Sequence, residues 1–266
     1  TPNINRISSS GITFTSSFCT TPQCSPSRAS LQTGQYPHRT GIITNENMAA
    51  GRGIPLNPAL PSIGNIFRKN GYNTVYYGKW HLGGNPALHN WQEYRKVKGN
   101  QLTLLGTLFL LSKPPEPFFL FLSYTNPHDI YQFARLKEIS EDVSDIKLPV
   151  SFEDNLSYKP YPQLQFMKED QGKFIYKKDI ETWKAYRKFY RQKVKLVDNE
   201  IGIVLDALEK SGLKERTIIV FTSDHGDMDT AHRLVFKGPF MYEELIRVPL
   251  IISFPGRIPS GEKRHQ

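Results

Sequence analysis

Short apolar runs along the chain predict β-strands, and longer stretches with helical spacing predict helices between them. The runs are rich in β-branched and aromatic residues and cover 12–18, 73–77, 118–124, 217–222 and 248–254. Helical spacing covers 61–70, where Gly71 is a natural stop, and 179–210, where Gly212 follows the end. Three of the strands are apolar almost throughout, which is typical of a sheet covered on both faces. The alternation predicts an α/β fold with a mostly parallel central sheet and helices on both faces.

Composition supports a folded domain and adds an expectation about the chain ends. A hydrophobic share of 38% with 12% aromatic residues can fill a core, and 266 residues suffice for one large α/β domain. No apolar run reaches the ~20 residues that a membrane span needs, and no signal peptide is visible. The opening segment TPNINRISSSGITF is typical of the middle of a domain, so we expect a chain truncated at both ends.

Charge and cysteine content narrow the classes of partner. The formal net charge of +9 favours an anionic partner, yet the basic residues are scattered and form no recognisable nucleic-acid motif. A sulfated or phosphorylated substrate accounts for the sign equally well. Cys19 and Cys24 could pair in an oxidising compartment, but one buried thiol beside one chemically special thiol is the favoured interpretation. Residues 137–172 are rich in Pro, Asp, Lys and Tyr without a period, which predicts a long surface excursion.

The segment CSPSRASLQTG, residues 24–34, carries the strongest chemical signal. Pro26 and Ser27 precede a predicted helix at 28–33, which places Cys24 at or just before a helix N-terminus. Free N–H groups and the helix dipole favour an anion at that position. Arg28, four residues on, can reach back toward an oxygen on residue 24.

Two histidine motifs follow predicted strands. GKWHLGG, residues 78–84, places Lys79 and His81 two positions apart, so an extended backbone would put both side chains on one face. A cation beside an imidazole suits binding an anion and protonating a leaving oxygen. TNPHD, residues 125–129, places His128 at the end of another strand.

Two further motifs lie near the C-terminus. TSDHGD, residues 222–227, sets Asp224 beside His225 at a strand end, a plausible half-site for a divalent metal, whereas Asp227 and Asp229 are better interpreted as a solvated acidic turn. The segment at 232–252 carries a Lys-Gly at Lys237 and then Arg-Val-Pro before the last strand.

In this order the five motifs resemble those of type I sulfatases, in the alkaline phosphatase superfamily. The resemblance covers nearly the whole chain and is weakest over 85–117. It implies a sulfatase catalytic domain over 1–266 that lacks its first strand and a smaller C-terminal subdomain. It further implies that a maturation enzyme oxidises Cys24 to formylglycine, whose hydrate attacks a sulfate ester.

The resemblance also implies roles for the other motif residues. Arg28, Lys79 and Lys237 would offset the sulfate charge, and His81 or His128 would protonate the leaving alcohol. Family members also carry an Asp-Asp metal-ligand pair on a strand upstream of the first residue of this chain, whose first 45 residues contain no acid.

The resemblance implies a metal site as well. Asp224, His225 and residue 24 would bind a divalent metal, with Ca²⁺ expected rather than Mg²⁺.

The expected activity is hydrolysis of a sulfuric ester, with a sulfated small molecule or polysaccharide as substrate. One alternative is a phosphonate monoester or phosphodiester hydrolase of the same superfamily, because the Asp-His pair stands in place of Asp-Asn. Another is a non-catalytic binder of sulfated glycans. A secreted, periplasmic or lysosomal-type compartment is expected from the family, with no membrane span and no nucleic-acid partner.

Overall fold

The computed structural model describes residues 1–47, 51, 53–136, 142–154, 156–238 and 240–265, and these form an α/β fold. The strands are β1 (Gly11–Phe14), β2 (Asn73–Gly78), β3 (Glu93–Arg95), β4 (Phe118–Ser123), β5 (Ile219–Thr222), β6 (Leu250–Ser253) and β7 (Glu262–Arg264). The α-helices are α1 (Pro2–Ser9), α2 (Cys24–Thr33), α3 (Pro37–Thr40), α4 (Ile63–Lys69), α5 (Asn100–Leu111), α6 (Tyr161–Glu169), α7 (Ile180–Lys210) and α8 (Glu243–Ile246).

The described strands lie in two sheets. One sheet has the order β3-β2-β4 and is parallel throughout. The other has the order β5-β6-β1-β7, in which β1 pairs with β7 in parallel but β6 runs antiparallel to both of its neighbours. The α/β class is therefore confirmed, while the strand predicted at 248–254 departs from the parallel arrangement.

Strand β2 shows why the sheet is covered on both faces. Successive side chains of a strand point to opposite faces, so Tyr76 packs in one apolar cluster while Val75 and Tyr77 pack in another. The first cluster includes Ala29 of α2 and the second includes Leu102 of α5. Helices from different parts of the chain therefore hold β2 rigidly, and the loop that follows it starts from a fixed point.

The described part of the predicted excursion at 137–172 runs largely over the surface, as the sequence predicted, but buried apolar side chains anchor it to the core. Residues 137–141 and 155 lie outside the described residues. The rest carries short helical turns and α6, and its apolar side chains join the largest core cluster; these are Val143, Ile146, Phe152, Leu156, Phe166 and Met167. Two of them, Phe152 and Leu156, are each the buried residue of a short 3₁₀ turn, and α6 supplies Phe166 and Met167.

A buried carboxylate fastens α1 to α7. Asp198 of α7 accepts hydrogen bonds from the backbone N–H of Asn3 at 3.2 Å and of Ile4 at 2.8 Å, and its side chain is fully buried. These N–H groups belong to the first turn of α1, where backbone N–H groups have no acceptor within the helix. The negative charge of Asp198 also interacts favourably with the helix dipole. Among the helices that the structure describes, none is long and apolar enough to cross a membrane.

We expect Asp198→Ala to destabilise the protein by about 2–3 kcal/mol, because two N–H groups lose a charged acceptor in a buried setting. Urea denaturation with a fitted midpoint and slope measures this change. Asp206→Ala is the matched control, since Asp206 joins the same two helices through an exposed ion pair with Arg6 at 2.8 Å. That pair should contribute at most about 1 kcal/mol. Equal losses in the two variants would contradict the role of Asp198.

Candidate active site

Helix α2 begins at Cys24, four residues earlier than the sequence predicted. Pro26 lies in the first turn, where the absence of its N–H costs no helical hydrogen bond. The N–H of Ser25 donates to the side chain of Asn45 at 3.0 Å, so one free group of that turn finds an acceptor from a loop. Cys24 is therefore the first residue of the helix, which confirms its predicted position at a helix N-terminus, and it is only 1% exposed.

Three cationic or titratable side chains converge on the Cys24 sulfur. The Nζ atoms of Lys79 and Lys237 donate to Sγ at 3.1 and 3.0 Å, although these lysines lie 55 and 213 residues away along the chain. Nε2 of His225 lies 3.3 Å from the same sulfur. Burial by itself raises the pKa of the Cys24 thiol, but interactions with His128, His225 and His81 and the charge of Lys237 outweigh it and lower that pKa. The pocket therefore favours a negative charge at residue 24.

Arg28 does not reach back to residue 24, contrary to the sequence-based expectation. Its guanidinium donates to the carbonyls of Lys79 and Trp80 and to Asp224 at 3.2 Å, and also to Tyr76 Oη and Ser123 Oγ. The side chain is nearly buried, and these acceptors belong to the ends of β2, β4 and β5. Arg28 therefore positions the loops that carry the site rather than hydrogen-bonding Cys24.

Lys79 and His81 enter the same pocket, but not through an extended backbone. His81 has a left-handed conformation with φ of 58°, so the chain turns sharply after Trp80. The cavity that contains Cys24 is lined by His81, and His128 lines it as well from the first position of a 3₁₀ segment at His128–Arg135. The ring of His128 stacks on that of Tyr131 at a centroid distance of 4.9 Å, which fixes its orientation.

Asp224 and His225 lie beside Cys24 in a candidate metal-binding cluster. One ligand atom each from Cys24, Asp224 and His225 lies within 4.8 Å of the others, and this is the group with metal-ligand chemistry found among the described residues. Nδ1 of His225 lies 2.7 Å from the carbonyl of Gly226, so in the neutral ring Nδ1–H donates there and Nε2 keeps its lone pair for the site. Burial opposes ionisation of Asp224, but His225 and Arg28 outweigh it and lower its pKa.

The donor set fits a divalent cation only in part. Arg28 occupies Oδ2 of Asp224, which leaves Oδ1 as the carboxylate ligand. Calcium takes six to eight oxygen ligands, whereas the described residues offer one oxygen, one nitrogen and the atom at residue 24. These residues can hold one side of an ion, and the remaining ligands must come from elsewhere.

A tyrosine that the sequence did not single out supports Lys237. The hydroxyl of Tyr186 on α7 accepts from the N–H of Phe236 at 3.1 Å, and both residues are buried. The same hydroxyl lies 3.5 Å from Oδ1 of Asp227. Phe236 precedes Lys237 and has a left-handed φ of 56°, so this bond fixes the backbone from which the lysine reaches Cys24.

The cavity beside Cys24 has a volume of about 490 Å³. Besides Cys24, His81, His128 and Lys237 it is lined by residues that sequence reasoning missed, namely Asn45, Tyr131, Ala134, Arg135, Gln171 and Phe236. Asn45, Gln171 and Phe236 come from loops and the excursion, where no motif or period marks them, and the other three come from the 3₁₀ segment. The one signal in the sequence was the 3₁₀ spacing of His128, Tyr131 and Ala134, which share one face at three residues per turn.

The acidic turn after His225 is neither exposed nor part of the metal cluster, so its interpretation as a solvated turn was wrong. Asp227 accepts from the N–H of Asp229 at 2.9 Å. Asp229 pairs with Arg187 at 3.4 Å while its Oδ1 is buried and has no partner among the described residues. Burial outweighs Arg187 and, with the charge of Asp227, raises the pKa of Asp229 to about 7.

A carboxyl group whose pKa is raised on folding binds more protons in the folded than in the unfolded state between its two pKa values. Asp229 should therefore make the protein less stable as the pH rises from about 4 to about 7. We expect Asp229→Asn to flatten that part of the stability profile, measured as melting temperature against pH. Asp142→Asn is the control, because Ser144 lowers the pKa of the exposed Asp142 and its effect falls on the acid side. An unchanged slope in Asp229→Asn would show that Asp229 is ionised normally.

The two cysteines and one ion pair near α8 can also be compared with the sequence. Cys19 and Cys24 are both free thiols, so they are not paired with each other, and burial raises the pKa of Cys19 to about 11. Glu243 and Arg247 form an exposed ion pair at 2.6 Å.

His232 lies outside the cavity lining. It pairs with Asp154 and stacks on Tyr242, and so joins the excursion to the loop before α8.

Comparison with known proteins agrees with this geometry. A model of the Sulfatase family matches residues 1–266. The uncharacterized sulfatase YidJ of Escherichia coli K12 is 30% identical, with 99% of this chain and 59% of that protein aligned. Delta 4,5-hexuronate-2-O-sulfatase of Bacteroides thetaiotaomicron is 27% identical, over 95% of this chain and 56% of that protein.

The solved structure of a 2-O GAG sulfatase superposes with a TM-score of 0.85 at 25% identity, covering 98% of this chain and 60% of that one. This chain therefore spans about 60% of the length of the relatives that it matches. Its separated motifs meet around one buried cysteine, and the family match extends from the first residue to the last. The chain belongs to the sulfatase family.

Proposed function

We propose that this chain is the catalytic part of a sulfatase that hydrolyses a sulfate ester of a carbohydrate through residue 24. The observation that carries the proposal is the convergence of Lys79 and Lys237 on the Cys24 sulfur, at 3.1 and 3.0 Å. A structural thiol requires no ammonium group, and holding two of them against one buried atom is unfavourable unless an anion offsets their charge. The pocket is therefore built for an anion that reacts at residue 24.

The two lysines act as preorganised electrostatics. A sulfate ester is negatively charged and repels a nucleophile, so its charge must be offset before attack. Lys237 is 8% exposed and its position is fixed by the backbone of Phe236, so it need not reorganise when the anion enters. Lys79 approaches from the loop after β2, whose carbonyl groups Arg28 holds in place.

Residue 24 is proposed to act as formylglycine, which supplies an aldehyde hydrate in place of the thiol. Its oxygen atoms would lie near the position of Sγ, which both lysines contact. The leaving alcohol needs a proton, and His81 and His128 line the cavity where its oxygen departs. His128 is held by its stacking on Tyr131, so it is the better placed of the two to keep one orientation.

A divalent cation, proposed as Ca²⁺, would add positive charge opposite the sulfate oxygens when bound. Asp224, His225 and residue 24 would hold one side of it. In the neutral ring, the bond from Nδ1–H to the Gly226 carbonyl leaves the lone pair on Nε2, the atom that faces Cys24 at 3.3 Å, and this supports the proposal.

The names of two relatives and the size of the cavity support a carbohydrate as the substrate. Two relatives are named Delta 4,5-hexuronate-2-O-sulfatase and Ulvan-active sulfatase. A volume of about 490 Å³ exceeds what the sulfate alone requires and falls in the range of pockets that hold small organic ligands. The proposal includes a formylglycine-generating maturation enzyme as partner and a secreted, periplasmic or lysosomal-type compartment.

The test uses the natural gene product that contains this chain, produced with a maturation enzyme. Mass spectrometry of the peptide with residue 24 should show a species ~18 Da lighter than the cysteine form, because an aldehyde oxygen replaces the thiol and one hydrogen. The same preparation should hydrolyse an aryl sulfate faster than the matching aryl phosphonate monoester. Only unmodified cysteine with no turnover would favour a glycan binder, and a preference for the phosphonate would favour the other hydrolase.

A further inference from the structure

The cavity continues from Cys24 to a second basic group that the chemistry at residue 24 does not use. The 3₁₀ segment His128–Arg135 runs along one wall, with His128 near the sulfur and Arg135 at the other end. Seven steps of about 2.0 Å place the two backbone positions roughly 14 Å apart. The inward face holds Tyr131 and Ala134, while Ile130 and Phe133 are buried in the main core cluster and anchor the segment.

The environment of Arg135 leaves its guanidinium available to a ligand. The side chain is exposed, and no described carboxylate lies within ion-pair distance of it. This differs from Arg28, Arg187 and Arg233, each of which pairs with an acidic residue. The charge of Asp170 acts on Tyr131, but Asp170 itself does not line the cavity.

The lining as a whole selects against cationic substrates. Its ten residues include Lys237, Arg135, two histidines and two amides but no Asp or Glu. A cationic alcohol would meet only like charges and neutral groups there. The amide of Gln171, from the excursion, lies on the same lining as Arg135 and can donate to or accept from a hydroxyl group.

We propose that Arg135 binds a second anionic group, a carboxylate or a second sulfate, carried by the sugar whose sulfate reacts at residue 24. This inference rests on the proposed function and adds the substrate class to it. Guanidinium groups bind carboxylate and sulfate oxygens in pairs, which gives geometric selection as well as charge. Lys237 and Lys79 are committed to residue 24, so Arg135 is the lining cation left for this second group.

The experiment compares three monosaccharide or disaccharide sulfates and one aryl sulfate in the matured natural gene product. The sugars carry the scissile sulfate with a ring carboxylate, with that carboxylate reduced to an alcohol, or with a second sulfate. Arg135→Ala should lower kcat/KM about 10- to 100-fold for an anionic sugar, mainly through KM, and less than about 2-fold for the reduced sugar and the aryl sulfate. Arg135→Lys should restore part of the loss.

The carboxylate and sulfate arms identify which anion Arg135 binds. Arg257→Ala is the matched control, because it removes the same charge from an exposed turn outside the cavity lining. Equal losses on all four substrates, or a wild-type enzyme without preference for a second anion, would overturn the proposal.

A binding measurement separates this proposal from the catalytic one. Calorimetry with the Cys24→Ala variant compares the affinity of the anionic and the reduced sugar without any turnover. Weaker binding of only the anionic sugar after Arg135→Ala supports the second-anion site even if no sulfate is released. If the matured enzyme with Cys24 present released no sulfate while this selective binding persisted, the result would count against the catalytic proposal alone.

Discussion

Replacing Cys24 with alanine should abolish hydrolysis of an aryl sulfate, lowering kcat by at least about 10⁴-fold. Residue 24 lies where two ammonium groups and three histidines meet. In the proposed function it alone provides the nucleophilic oxygen that attacks the sulfur of the ester. Cys24→Ser should also be far less active, because a serine hydroxyl cannot expel sulfate by re-forming an aldehyde. Initial rates with excess aryl sulfate, and the melting temperature of each variant, provide the measurement.

The second cysteine offers a matched control. Cys19 is a free thiol only five residues away, is half-buried, and donates to the carbonyl of Leu245 at 3.7 Å. Cys19→Ala should keep the wild-type rate, since Cys19 does not line the cavity. If Cys24→Ala retained substantial turnover with an intact fold, the nucleophile would have to lie elsewhere.

Lys237→Ala should lower kcat/KM for a sulfate ester by about 10²- to 10³-fold, and Lys79→Ala by a similar or smaller factor. Lys237 is the more buried of the two, so water replaces its charge less well after truncation. Both lysines act on one atom, so the double variant should lose less than the product of the single losses. Steady-state kinetics of the three variants tests both statements.

Lys214→Ala serves as the control for these lysines, because Lys214 forms only an exposed pair with Glu209 at 3.2 Å. It should leave kcat/KM unchanged. Loss of folding in Lys237→Ala would be visible in its melting curve and would require Lys237→Met, which keeps most of the side-chain volume. Wild-type kinetics in a folded Lys237→Met variant would show that the anion binds somewhere else.

Much of the fold follows from local sequence pattern. The strands at 73–77 and 118–124 were located to within one residue, because both are rich in β-branched and aromatic residues. The helix predicted at 179–210 begins at Ile180, with Asp179 accepting from the N–H of Thr182 as its N-cap. β3 and β7 were missed because each has three residues and a polar sequence, so pairing with a neighbour defines them rather than composition.

Site residues could be predicted from the sequence where a chemically suitable residue follows a predicted strand. They could not be predicted where only a contact between distant segments brings the residue to the site. The sequence located Lys79, His128 and Asp224 because each follows a strand. It could not show that Arg28 holds three loops, since its acceptors include backbone carbonyls that carry no residue signature. Nor could it place Gln171 at the cavity, because only the packing of the excursion brings it there.

Helix α7 contacts both the backbone beside Lys237 and the first helix, α1. It has 31 residues, about 46 Å at 1.5 Å per residue. Tyr186 near one end bonds the backbone beside Lys237, while Asp198 further along anchors the first helix of the chain. Segments that share one rigid element open together rather than separately. The backbone at Phe236 and Lys237 therefore belongs to the same cooperative unit as α1. Hydrogen exchange of the Phe236 amide is expected to report the opening of that whole unit rather than a local fluctuation at the pocket.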